Sequence, residues 1–212
     1  MPYITHPRQV RRIITASFSA AVLIGAIPAA ASAEGTASTA ASAACAYNQT
    51  SKPFARFGDS AEYSLLQGGS FESGAPGWSL SNAKVVAGNE SYNVAGGSHS
   101  LAIQPTGVVV SPTFCVSIAN PSFRFFARQT SGSWAVLNVI LRWTDASGTS
   151  HDTTVGSLQT GTSWAVSPVL KLATTLPLWQ AESSLSVKLV FKPEQYGGAW
   201  AIDDVYIDPY RR

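Results

Sequence analysis

The stretch Ala135-Val136-Leu137-Asn138-Val139-Ile140-Leu141-Arg142-Trp143-Thr144 decides the fold. Leu137, Val139, Leu141 and Trp143 share one parity, while Asn138, Arg142 and Thr144 share the other with Val136 and Ile140. Alternate side chains of an extended chain point to opposite faces, so this is a strand with one face in a core. Ser184 to Lys192 repeats the device, with Leu185, Val187, Leu189 and Phe191 on one side and Ser184, Ser186, Lys188 and Lys192 on the other. Working outward, the same reading predicts strands over Tyr63–Leu66, Ala83–Ala87, Ser98–Gln104, Val108–Ser111, Phe123–Gln129, Thr153–Ser157, Trp164–Leu172 and Ala199–Ile207. Breaks such as Gly68-Gly69, Gly96-Gly97, Asn120-Pro121, Asp145-Ala146-Ser147-Gly148 and Gly197-Gly198 separate them. Many short strands at near-regular spacing predict an all-β fold, a β-sandwich jelly roll of two antiparallel sheets. One helical turn is expected within Ala173 to Glu182, and no other helix.

The N-terminus reads differently. Arg8, Arg11 and Arg12 stand without an acidic residue, an uncharged apolar run follows from Ile13 to Ile27, and Pro28 ends it. Ala31-Ser32-Ala33 offers the small residues that a signal peptidase reads, which predicts an export signal over 1–33 with cleavage before Glu34. The apolar run is shorter than the roughly 20 residues a membrane span needs. The pair Arg11-Arg12 leaves a twin-arginine route open beside the general one. Residues 34–44, almost wholly Ala, Ser, Thr and Gly, cannot bury enough apolar surface to order themselves and form a flexible leader. The domain is expected over 45–212, as a monomer.

Cleavage changes the charge balance. The chain has 14 Lys+Arg against 12 Asp+Glu, and three of the arginines lie in the signal. The mature protein is thus near neutral, which argues against nucleic acid as a partner. Cys45 and Cys115 are the two cysteines, both beyond the cleavage site; in an oxidising compartment such a pair is expected as a disulfide.

Two further motifs mark the ends of the domain: Gly69-Ser70-Phe71-Glu72-Ser73-Gly74-Ala75-Pro76-Gly77-Trp78, and Trp200-Ala201-Ile202-Asp203-Asp204-Val205-Tyr206-Ile207-Asp208. Together they resemble the opening and closing motifs of galactose-binding-like jelly rolls, among them many carbohydrate-binding modules of secreted glycosidases. The chain is most similar to small stand-alone exported bacterial proteins of this fold with no assigned activity. The resemblance implies a structural calcium ion held by Glu72 and either Asp203 or Asp204 with backbone carbonyls. The chemistry agrees, since calcium takes six to eight oxygens and carboxylates meeting across adjacent strands otherwise repel.

Parity also predicts a binding face. Arg124, Phe126 and Arg128 would point outward on one strand, Asn138 and Arg142 on a second, and Lys188 and Lys192 on a third. If those strands neighbour one another, the face is cationic and suits an acidic or substituted polysaccharide, because guanidinium grips carboxylate in bidentate fashion. Charged residues also simply face water on any half-buried sheet, and that reading stays open. Trp78, Trp143 and Trp200 are expected in the core, while Trp134, Trp164 and Trp179 fall on strand edges or loops where a sugar could stack. His99 and His151 read as solvated loop residues. There is no Gly-x-Ser-x-Gly elbow, zinc-type histidine spacing or phosphate loop, and a catalytic role is not expected. The function expected is a secreted or cell-wall-associated, non-catalytic carbohydrate-binding module. The alternative is an envelope interaction protein that binds another protein through the same sheet, with no sugar ligand.

Overall fold

The computed structural model describes residues 47, 49–117, 122–145, 147–172, 184–194 and 198–208. The export segment, the leader, Cys45, Trp179 and the turn expected within Ala173 to Glu182 lie outside the described residues. Among the described residues a single 3-10 turn, Ala55–Phe57, precedes eleven strands: β1 (Ser64–Leu65), β2 (Ser79–Ala87), β3 (His99–Val110), β4 (Phe114–Ser117), β5 (Ser122–Gln129), β6 (Leu137–Thr144), β7 (Ser150–Leu158), β8 (Ala165–Val166), β9 (Leu170–Lys171), β10 (Ser184–Pro193) and β11 (Trp200–Ile207). Every pairing between them is antiparallel.

The strands run in the order β7-β6-β10-β3-β11-β5-β8, with β1 on β11, β2 on β3, β4 on β10 and β9 on β5. β3 joins two layers, because Leu101–Ile103 pair with β11 while Val109 and Val110 pair with β10. The sequence suggested two strands here, broken at Pro105 and Gly107. One strand runs through instead. Its partner β2 bulges between Ser81 and Ala83, with Asn82 at φ 46°, and a Cβ on Gly107 would come within 2.8 Å of the Asn82 carbonyl oxygen. Conversely, Trp164–Leu172 is not one strand. Pro168 has no N–H to give a ladder, and Ser167 closes the gap by exchanging bonds with Phe125, whose N–H donates to Ser167 Oγ at 3.1 Å. β4 carried no strand signal, since both of its parities are apolar and Cys115 is buried alongside Phe114 and Val116.

The two layers close over one core. Phe123, Phe125, Leu101, Ile103, Trp200 and Ile202 from one side meet Leu137, Val139, Leu141, Val187, Leu189 and Phe191 from the other. Burying each such side chain contributes roughly 1.5–3 kcal/mol. Trp78 and Trp200 lie in this core as expected, and Trp143 is half-buried at its edge. A second cluster forms on the outer side of β5 and β11, where Phe54, Tyr63, Phe126, Trp164, Ala201 and Tyr206 are buried together.

Candidate functional site

β11 reads inward at Trp200 and Ile202, then again at Val205 and Ile207, so strict alternation fails by one residue. A bulge against β5 between Asp203 and Tyr206 absorbs the extra residue, with Asp204 at φ 48°. The bulge leaves two adjacent carboxylates with 0 % exposure. Asp203 Oδ1 accepts from the Asp204 N–H and its Oδ2 from the Glu90 N–H, both at 2.9 Å. Asp204 Oδ2 accepts from the Ala95 N–H at 2.9 Å, while its Oδ1 is buried with no hydrogen-bond partner among the described residues.

Around these two, the loop between β2 and β3 folds on carboxylates. Buried Glu90 accepts from the N–H groups of Tyr92 and Val94, both at 2.5 Å, and Glu72 Oε1 accepts from the His99 N–H at 2.6 Å. Gly97 must be glycine, since its φ is 116° and a Cβ there would lie 2.1 Å from Glu72 Cδ. Burial, then the neighbouring Asp204 charge and that of Glu90, pushes Asp203 up to about 8. Burial with Glu90 and Glu72 pushes Asp204 up to about 7. Glu72 itself is held low, because the N–H groups of Ser98 and His99 and the His99 ring outweigh its desolvation. Glu72, Asp203 and Asp204 are therefore brought into one electrostatic neighbourhood, with Glu90 as a fourth member that sequence reading missed. Glu90 sits in the polar break Gly88-Asn89-Glu90-Ser91, a turn signal that says nothing of burial. Among the described residues, no group of three or more His, Cys, Asp or Glu side chains forms a ready metal cage. The chemistry fits a hard cation through the orphaned Asp204 Oδ1, provided that carbonyl oxygens complete the shell.

The expected cationic face is divided. Arg124 and Phe126 do point away from the core, but the segment carrying Phe54 and Tyr63 covers them. Phe126 has 0 % exposure; Arg124 has 7 % and is fully engaged, donating from Nε and Nη2 to the Ser167 carbonyl at 3.0 and 2.7 Å and from Nη1 to Asp59 Oδ2 at 2.8 Å. Its guanidinium lies 4.8 Å from the Phe54 ring centroid. The reading of Arg124 and Phe126 as an open face is thereby corrected: parity fixes the side of the sheet, not what lies on it. Arg128 is half-buried over the ring of Trp164, which is itself buried, 5.1 Å from its centroid. β5 is also not beside β6 or β10, since β3 and β11 intervene.

β6 and β10 do bring the remaining residues together. Arg142 pairs across the ladder with Lys188, and Asn138 with Lys192. Arg142 grips Asp152 of β7 in bidentate fashion, both contacts 2.7 Å, and Lys188 is exposed with no ion pair among the described residues. A cleft of about 300 Å³ opens here, lined by Thr113, Arg142, Trp143, Ser150, Ser186 and Lys188 with Thr144. Trp143 has an unpartnered buried Nε1, and its ring stacks on His151 at 4.4 Å. His151 Nε2 contacts Asp145 Oδ2 at 2.8 Å, so neither histidine is merely solvated: His99 holds Glu72, and His151 holds Asp145.

No family model matches the chain, and no curated protein matches it. Solved structures share the fold. The CBM22-1–GH10 modules of a Clostridium thermocellum endo-1,4-beta-D-xylanase, complexed with xylohexaose, superpose with a TM-score of 0.50 at 11% identity over 66% of this chain and 27% of that one. The match thus spans little more than a quarter of that protein. The CBM22-1 xylan-binding domain from Paenibacillus barcinonensis gives 0.48 at 16% identity over 68% and 92% of the two chains. A family 61 module in complex with beta-1,4-galactotriose gives 0.41 at 19% over 68% and 96%. The chain has a β-sandwich jelly-roll fold, in agreement with the match at a TM-score of 0.50.

Proposed function

We propose that this domain is an exported, non-catalytic glycan-binding module, held together by a calcium ion and by the Cys45–Cys115 disulfide. The observation that carries the reading is the cleft on β6 and β10. It sets the half-buried indole of Trp143 beside a bidentate-held guanidinium, an unpaired ammonium and four hydroxyls, the polar and partly aromatic lining that a sugar requires. Lys188 supplies an uncompensated positive charge, which favours an acidic or substituted polysaccharide over a plain neutral one. Asn138 flanks this site on β6, whereas Arg124, Phe126 and Arg128 lie on β5 beside the second core.

Calcium would be held by Asp204 and Asp203 with Glu72, where it would neutralise adjacent buried carboxylates and fix the loop after β2. The disulfide would tie the N-terminal arm to β4, where Cys115 is buried. The protein is secreted or cell-wall-associated on this reading, and the clustered carboxylates serve backbone N–H groups, not catalysis. A glycan array probed with residues 34–212, in calcium and again in chelator, tests it. Selective binding that drops in Lys188→Ala and Arg142→Ala supports the proposal. Absence of any glycan signal from folded, disulfide-bonded protein would sink it in favour of an envelope protein partner.

A further inference from the structure

Among the described residues only Leu65, Val169 and Trp134 are exposed large apolar side chains, and Trp134 alone is 86% exposed. It sits in the turn between β5 and β6, remote in the ladder from the Lys188 pair, and its backbone is at φ 60°. A bulky residue rarely adopts that conformation unless its surroundings impose it. Here they do. Gln129 Nε2 donates to the carbonyls of Ser131, at 3.1 Å, and Gly132. The N–H groups of Thr130 and Ser131 both donate to the Ala199 carbonyl, at 2.8 and 3.3 Å, and the Ala199 N–H donates to Ser131 Oγ at 3.1 Å. Gly132 and Gly198 pack so closely that a Cβ on Gly198 would lie 2.0 Å from the Ser131 carbonyl oxygen. The turn is clamped from both sides, and what it raises into solvent is an indole.

The two stretches of chain around that indole carry no charge of their own. No charged residue occurs from 129 to 141 or from 153 to 170. These two stretches meet, since the Gln129 N–H donates to the Gly161 carbonyl at 3.0 Å and Leu137 pairs with Leu158. Their exposed members include Thr130, Ser131, Ser133, Gln159 and Thr162, all hydroxyls or amides. Charged groups border these stretches: the Glu194 N–H donates to the Val136 carbonyl at 2.9 Å, and the Arg128 guanidinium lies 5.1 Å from the Trp164 ring centroid.

We infer that Trp134 is the stacking platform of a second carbohydrate contact, at the β5–β6 end of the sandwich, for a neutral pyranose. A pyranose presents an apolar C–H face rimmed by hydroxyls. A rigid exposed indole matches the face, and Ser, Thr and Gln match the rim. A membrane surface would call for cations beside the tryptophan, and a protein partner for a contiguous apolar patch; the turn offers neither. The inference rests on the glycan-binding reading but uses none of the residues of the β6–β10 cleft.

Affinity electrophoresis of the exported protein separates the two sites, with xylan, mixed-linkage β-glucan and galactomannan as neutral probes and polygalacturonate as the acidic one. The expected result is retardation by at least one neutral polymer, weakened about tenfold or more in Trp134→Ala and unchanged in Lys188→Ala. The variant should keep the wild-type melting temperature, because the removed side chain is exposed. Partial rescue by Trp134→Phe would confirm stacking. Equal retardation of Trp134→Ala and wild type overturns the inference, as does failure of every neutral polymer to retard the wild type. In the latter case, polygalacturonate retention lost in Lys188→Ala leaves the β6–β10 reading standing, and no retention by any polymer removes both. Concentration-dependent dimers in sedimentation that vanish in Trp134→Ala, without a glycan effect, would reassign the indole to a second copy of this chain and also overturn it.

Discussion

Asp203 and Asp204 are adjacent, fully buried and free of any ion pair among the described residues. Their pKa values, pushed to about 8 and about 7 mainly by burial, lie above the ordinary carboxylate value. The folded state therefore binds more protons than the unfolded one. Their stabilising contribution is complete below the unfolded value and is lost as pH rises through 7 to 8. In chelator, the melting temperature by differential scanning fluorimetry should fall between about pH 5 and about pH 8.5, and calcium should restore it at the higher pH. Asp204→Asn should raise the melting temperature in chelator at that pH by roughly 2–4 °C, the equivalent of about 1 kcal/mol, and abolish the calcium response. Arg124 gives the opposite lesson. Arg124→Ala removes three hydrogen bonds and strands Asp59, whose carboxyl is held low by Tyr63 and Arg124 against its own desolvation. The expected cost is about 2–4 kcal/mol in urea unfolding, with glycan affinity per folded molecule unchanged. That Asp203, Asp204 and Glu72 come close together was legible because a motif marked them. The burial of Arg124 was not, because the segment that covers it lies more than sixty residues earlier in the chain.

At the scale of elements, alternation identified β6, β10, β5 and β11 to within two residues of their ends. It failed where the ladder is irregular: the bulge opposite Gly107, the proline after Ser167, and β4, whose two faces are both buried. The 3-10 turn at Ala55–Phe57 left no periodic trace, yet the segment holding it places Phe54 against Tyr63, Phe126 and Tyr206, with ring centroids 4.9, 5.7 and 5.5 Å apart. That segment acts as a strap that supplies two of the six buried residues of the second core, Phe54 and Tyr63. Phe54→Ala should cost about 3–5 kcal/mol, measured by urea unfolding. A disulfide from Cys45 to β4 would fasten the same arm, and the Tyr47 hydroxyl already donates to the Cys115 carbonyl at 2.8 Å. Thiol titration of the denatured, unreduced protein should find no free thiol. Reduction should lower stability by about 2–5 kcal/mol, with the loss appearing in the strap first, as faster amide exchange over residues 51–63.

For the whole molecule, once the expected export signal with its three arginines is removed the chain carries 11 Lys+Arg against 12 Asp+Glu, so any preference for an acidic glycan must come from local charge. The strap has already removed Arg124 from that role, and Arg128 is spent on Trp164. Lys188 is left as the exposed cation of the cleft, backed by an Arg142 whose charge Asp152 largely offsets. The tip at Trp134 has no charge to contribute. The two surfaces should therefore respond differently to salt. Raising ionic strength from about 0.05 M to about 0.5 M shortens the screening length from roughly 14 Å to roughly 4 Å. Binding of an acidic polysaccharide at the cleft should then weaken about threefold, the modest loss expected of one exposed charge contact. Binding of a neutral polymer at Trp134 should hold constant or strengthen slightly, because stacking buries apolar surface. Isothermal titration at both salt concentrations, with one acidic and one neutral polysaccharide, reads both slopes on a single protein. Parallel salt slopes for the two polymers would mean a shared site, and the division of labour between cleft and tip would be lost.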